Sequence, residues 1–163
     1  SVTRVIGGWM ADKFGGLTNM IFVCAGVAIL SLIASTMPSI WVMSGLLFLI
    51  FCFLGAGNGS TFQLVPHRWP RNTAVAMSLI GEIGALGGAL IPNAMGLSKQ
   101  HYGTFAGGFL LWAVISVGIL IMYLVVNKRW TTTWVGIGGT ALTPEERERR
   151  TSAGLIGEEV RHV

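Results

Sequence analysis

Residues 1–16 read SVTRVIGGWMADKFGG. An apolar stretch carrying a single arginine runs into Asp12 and Lys13 and stops at paired glycines. The next run, residues 17–36, has no charged residue. About 20 apolar residues are needed to cross a bilayer core, so 17–36 reads as a membrane span. The charged stretch before it reads as a water-facing turn, and residues 1–11 as the last turns of another helix. Arg4 is the odd residue. It lies eight positions before Asp12, or about 12 Å deeper on a helix rising about 1.5 Å per residue. In a hydrocarbon core about 30 Å thick, that brings a permanent charge close to the midplane.

The rest of the chain agrees with this reading. Of its 163 residues, 52% are hydrophobic and only 11% charged, against about 25% charged in soluble domains. Three further runs are long enough to span a membrane: 40–65, 73–97 and 104–127. MPS, PHRWPRN and SKQHYG punctuate them. If each run crosses once, Lys13, Arg68, Arg71, Lys128 and Arg129 share one side and Lys99 falls on the other. The positive-inside rule makes the first side cytoplasmic, the C-terminus included. The expected organisation is a membrane part over 1–127 and a polar cytoplasmic tail over 128–163. In the tail, TPEERERR predicts a short surface helix, with Thr143 as N-cap, Pro144 at the first position and acids in the first turn. The first residues do not form a signal peptide, and the chain reads as the C-terminal part of a longer membrane protein.

Several chemistries are excluded. Cys24 and Cys52 lie in apolar runs and read as small packing residues, not a disulfide or a ligand pair. His67, His101 and His162 have no metal-ligand spacing, and no nucleophile–base constellation appears. GAGNGS at 55–60 lacks the strand and the lysine of a phosphate loop, and its membrane depth rules out its glycosylation triplet. We expect no enzyme, no cofactor, no metal and no nucleic-acid partner.

What remains is a set of polar and small residues inside the spans. Counted from the ends of their runs, Arg4, Asn58 and Glu82 come within a few ångströms of one depth. That argues for an internal polar cavity, because a charge near the bilayer centre costs at least ~2.5–3.5 kcal/mol and such residues usually face a polar interior. Each also has a plainer reading. Arg4 could snorkel to the interface. Glu82 could be half of a structural ion pair, and Asn58 an interhelical hydrogen-bond group. Gly81, Gly84, Ala85 and Gly88 form a bare stripe on one helix face, which lets another helix or a small ligand approach the backbone closely.

GGWMADKFGG at 7–16 resembles the cytoplasmic loop signature of the major facilitator superfamily, G-x-x-x-D-[RK]-x-G, in Gly8, Asp12, Lys13 and Gly15. TRVIGG ahead of it, GAGNGSTFQLVP at 55–66 and IGALGGALIPNAMG at 83–96 together resemble the nitrate/nitrite porter family of that superfamily. The last string is similar to the second of that family's glycine-rich signatures. The resemblance runs from Arg4 to about Gly96.

It implies an all-α integral membrane fold, with this chain holding the end of helix eight and helices nine to twelve of a twelve-helix bundle. It implies secondary active transport of nitrate or nitrite across the bacterial inner membrane by alternating access, by a monomer whose N-terminal half lies outside this chain. Arg4 takes the place of the family's anion-binding arginine, four residues before Gly8. Arg4, Asn58, Gly84, Gly87 and Gly88 are then the expected substrate-lining set. Gly8, Asp12, Lys13 and Gly15 form a loop that latches one conformation. Glu82 departs from the family pattern, which is small or apolar there, and becomes a candidate for proton coupling. The rival readings are a porter for another organic anion or a drug, and a membrane scaffold that transports nothing.

Overall fold

The computed structural model describes residues 2–69, 71–133, 135, 136 and 139–154, without the side chains of residues 2–6, 10, 63 and 67. Within them the chain is helical, and no strand occurs among the described residues. Helices α1 (Val2–Phe14), α2 (Gly16–Ser35), α3 (Ile40–Arg68), α4 (Thr73–Tyr102), α5 (Ala106–Thr133) and α6 (Pro144–Ser152) follow in order. Helices α2 to α5 are each long and apolar enough to cross a membrane. This is the expected all-α architecture: one shorter helix, then four candidate spans.

The elements stop where backbone chemistry dictates. A single residue, Gly15, separates α1 from α2. Its φ of 91° is open to glycine and strained for any other residue, while its N–H still donates to Ala11 O at 2.8 Å. The chain therefore turns sharply without leaving its hydrogen bonds unmade.

The later helices outrun their apolar runs. α3 continues through Pro66 to Arg68, α4 through SKQHY to Tyr102 and α5 to Thr133. Hydropathy ends at the bilayer, whereas helical hydrogen bonding ends at a cap. For α4 that cap is Gly103 at φ 72°, whose N–H reaches Lys99 O.

The helices pack as a bundle in which α2 is central, touching α1, α3 and α5. Two apolar clusters mark its ends. At one, Leu17, Met20, Leu64 and Val135 are buried together, with Tyr123 and Trp130 against them. At the other, Ala34, Leu46 and Phe109 are joined by Met95 and Trp112. The first end gathers the α1–α2 turn, the α3–α4 turn and the end of α5, and hence Lys13, Arg68, Arg71, Lys128 and Arg129. Lys99 lies toward the other, where its ammonium stands 4.7 Å from the Phe105 ring.

α6 forms at the expected place and for the expected reason. The Thr143 hydroxyl accepts from Glu146 N–H at 3.3 Å, and the Glu146 carboxylate accepts from Thr143 N–H at 3.2 Å, a reciprocal capping box. The bond from the Thr143 amide, and after it one from the Thr143 hydroxyl to Glu146 Oε2 at 3.1 Å, hold the Glu146 carboxyl below its ordinary range. The helix also docks. Arg150 donates from Nη1 to the carbonyls of Thr131, Thr133 and Val135 at 3.0, 3.2 and 3.0 Å, covering acceptors at and just past the end of α5. TPEERERR was expected to form a surface helix, and Arg150 on it turns inward to the end of α5.

Candidate functional site

Between α3 and α4 lies a crevice of about 420 Å³. Asn58, Thr61 and Val65 line one wall, Met77, Gly81 and Gly84 the other. The structure thus brings Asn58 and part of the glycine stripe to one cavity. Gly84 belongs there because a side chain at that position would project into open space: nothing lies within 4 Å of a Cβ built on Gly81, Gly84, Gly87 or Gly88. Gly87 and Gly88 lie further along α4 and do not line this crevice. Glu82 is exposed on α4, next in sequence to the lining Gly81.

The stripe is not a packing face within the described chain. α4 has one buried residue, Ser98, and touches α5 mainly near the turn that joins them. There Gly107 and Gly108 approach Ser98 and Met95, and Ser98 Oγ donates to Thr104 O at 2.9 Å. Close helix contacts use other glycines. A Cβ on Gly7 would fall onto the backbone of Ala56, and one on Gly57 would meet Val23 Cγ1 at 3.0 Å.

The Gly7 contact sets the register of α1 against α3. Arg4 lies three residues earlier, its side chain outside the described residues, so its backbone is level with about the middle of α3, near Phe53. Asn58 then lies about 7 Å nearer the α1–α2 turn than Arg4, and Thr61 and Val65 of the crevice nearer still. Arg4 and Asn58 are staggered along the bundle axis and do not share one level. Counting from the ends of apolar runs misplaces them because the Gly7–Ala56 contact puts Asp12 level with about Thr61, not with Val65 where the α3 run ends.

A polar node that the sequence reading missed holds these helices. Asn19 on α2 is 5% exposed. Its Nδ2 donates to Ser60 Oγ on α3 at 2.6 Å and reaches Gly7 O on α1 at 3.4 Å. Ser60 Oγ in turn donates to Ala56 O at 3.1 Å, at the residue against which Gly7 packs. A lone Asn in the run LTNMIF was the available signal, since a buried amide must find partners.

The loop residues are placed around this node. Gly8 is half-buried, and a Cβ there meets nothing within 4 Å. Asp12 and Lys13 are exposed, with the Lys13 ammonium 5.3 Å from the Trp9 ring and 5.8 Å from that of Phe14. Gly15 makes the turn. Cys24 and Cys52 are free and half-buried, more open than packing residues were expected to be. His101 is exposed, the His67 side chain and His162 lie outside the described residues, and no metal-holding group occurs among those described.

No family model matches the chain, and no solved structure matches it. Curated proteins do. The nitrite extrusion protein of Bacillus subtilis (strain 168) is 30% identical over 135 residues, covering 81% of this chain and 34% of that protein. The nitrate/nitrite transporter NarU of Escherichia coli (strain K12) is 30% identical over 160 residues, covering 79% and 34%. The probable nitrate/nitrite antiporter NarK1 of Thermus thermophilus is 25% identical over 152 residues, covering 78% and 33%. The chain spans about a third of the length of these relatives. With that similarity carried over four helices able to cross a membrane, the chain belongs to the nitrate/nitrite porter family.

Proposed function

We propose that the protein to which this chain belongs moves nitrate or nitrite across the bacterial cytoplasmic membrane by alternating access. The observation that carries the reading is the similarity, over about four-fifths of the chain, to proteins named as a nitrite extrusion protein and a nitrate/nitrite transporter. The helical architecture supports it, as does a crevice that exposes α4 backbone beside the Asn58 amide.

In this reading Arg4 holds the anion. A guanidinium is planar, always charged and offers a fork of donors, which suits a small planar oxyanion better than an ammonium does. A second arginine, on a helix outside this chain, faces it. The two cations repel until the anion lies between them, so substrate favours the closed arrangement of the two halves. The halves then rock about a site near the bilayer midplane. Gly84, Gly87 and Gly88 let the α4 backbone approach that site. Asp12 and Lys13 latch the α1–α2 turn, which faces the cytoplasm together with the α3–α4 turn and the C-terminal tail. The transporter works as a monomer.

The experiment is nitrate uptake by the reconstituted full-length protein. Arg4→Lys keeps the charge but loses the fork, and is expected to lose most transport at unchanged expression. Transport at the wild-type rate would reduce Arg4 to a topological anchor and remove the proposed site.

A further inference from the structure

A second cavity, about 350 Å³, lies at the cationic end of the bundle, bounded by α2, α3, α4 and α5. Met20, Leu64, Val65, Ile80, Tyr123 and Trp130 make its wall apolar. Arg68 and Trp69, at the end of α3, complete it. Thr61, Val65 and Ile80 line both this cavity and the α3–α4 crevice, so the two adjoin along one seam.

The cavity follows from how α4 sits. Its contact with α5 is tight near their shared turn, where Gly108 meets Met95. Toward the other end α4 buries nothing, so α4 and α5 leave a wedge between them. The cavity lies toward the end that holds Arg68, which is among its lining residues.

We infer that this wedge is a binding site for an anionic phospholipid, with an acyl chain along the apolar wall and the phosphate at Arg68. Three features choose that occupant. The wall is apolar and set among helices of membrane-spanning length, where an acyl chain stays in apolar surroundings. The mouth carries Trp69 and Trp130, with the Tyr123 and Trp130 rings edge-on at 6.3 Å, and such aromatics favour headgroup depth. The charge there is cationic: Arg68 stands 5.6 Å from the Trp69 ring and belongs to the end that carries the basic residues. Its guanidinium matches a phosphate diester as a planar fork, and basic pockets between spans on the cytoplasmic side take anionic headgroups. The site does not depend on the transported anion.

The test uses the full-length protein, purified in detergent and stripped of lipid. It is titrated separately with phosphatidylglycerol and phosphatidylethanolamine, and retained lipid is counted by native mass spectrometry. Wild type is expected to retain phosphatidylglycerol about fivefold better, the preference one basic residue confers at a membrane surface. Arg68→Gln should bring the ratio near one. Ile80→Trp, which fills the wedge and leaves every charge in place, should reduce retention of both lipids, and it decides the matter if the arginine variant does not fold. Equal retention of the two lipids by wild type overturns the site, as does a preference that survives both variants. A wedge closed by other helices of the full-length protein would appear as no retained lipid, which overturns it as well.

Discussion

A methyl group added at Gly7 would fall on the Ala56 backbone, whereas at Gly8 it would meet nothing. The two glycines are adjacent in sequence and opposite in consequence. Gly7→Ala is expected to cost about 1–3 kcal/mol, because backbone cannot move aside as a flexible side chain can. It should also disturb the Asn19 bonds to Gly7 O and Ser60 Oγ. Gly8→Ala should leave stability within about 0.5 kcal/mol of wild type. Thermal unfolding of the detergent-solubilised protein distinguishes them: equal melting temperatures for the two variants would show that α1 does not pack on α3 through Gly7.

At the scale of elements, α4 and α6 behave differently from their sequence signals. The α4 stripe has open space before it and forms a wall of a crevice instead of a helix contact. Gly84→Leu is therefore expected to fill the crevice beside Asn58 and abolish nitrate uptake while membrane insertion and expression stay near wild type. Normal uptake by that variant would place the stripe outside the transport pathway. α6 is held by its capping box, and its stability should depend on pH. The Glu146 carboxyl is ionised more readily in the folded helix than its ordinary value of 4.5, owing first to the Thr143 amide. A depressed carboxyl stabilises the fold fully above the unfolded value, and that contribution is lost as pH falls through the folded one. Carbon chemical shifts of residues 144–152 should accordingly lose helical character below pH 4.5. Glu146→Gln should show a weaker dependence, and an identical pH profile would rule out the box as its source.

For the whole molecule the open question is coupling. Glu82 lies exposed on α4, one residue from a lining glycine, in a helix otherwise apolar at that level. If an arginine of the closed transporter pairs with it, anion binding to that arginine breaks the pair and so links the carboxylate to anion transport. An imposed pH gradient should drive nitrate accumulation by the full-length protein and fail to do so in Glu82→Gln. Accumulation driven equally in both would remove Glu82 from the coupling and leave exchange or another group as the mechanism. The tail belongs to this scale as well. Arg150 ties α6 to the end of α5, and a Cβ on Gly139 would meet Leu17 N at 2.6 Å. Gly139, after the last span, is therefore packed against the start of α2 beside the α1–α2 turn.

The spans, their alternation and the clustering of Lys13, Arg68, Arg71, Lys128 and Arg129 at one end were legible in the sequence, because apolar length and charge position are local quantities that the bilayer reads one segment at a time. The Thr143 cap and the Gly15 turn were legible for the same reason: each depends on residues within one turn of itself. The register between helices was not. Neither hydropathy nor spacing says that Gly7 meets Ala56, that Asn19 finds Ser60, or that Arg4 and Asn58 are staggered by about 7 Å. Those facts depend on which small residue allows closest approach, and that is decided only when two helices are packed together. The same holds for the glycines of α4, whose spacing announced a close approach without naming what approaches. Tertiary structure opens their face onto a crevice because α4 is held to its neighbours mainly near its C-terminal turn.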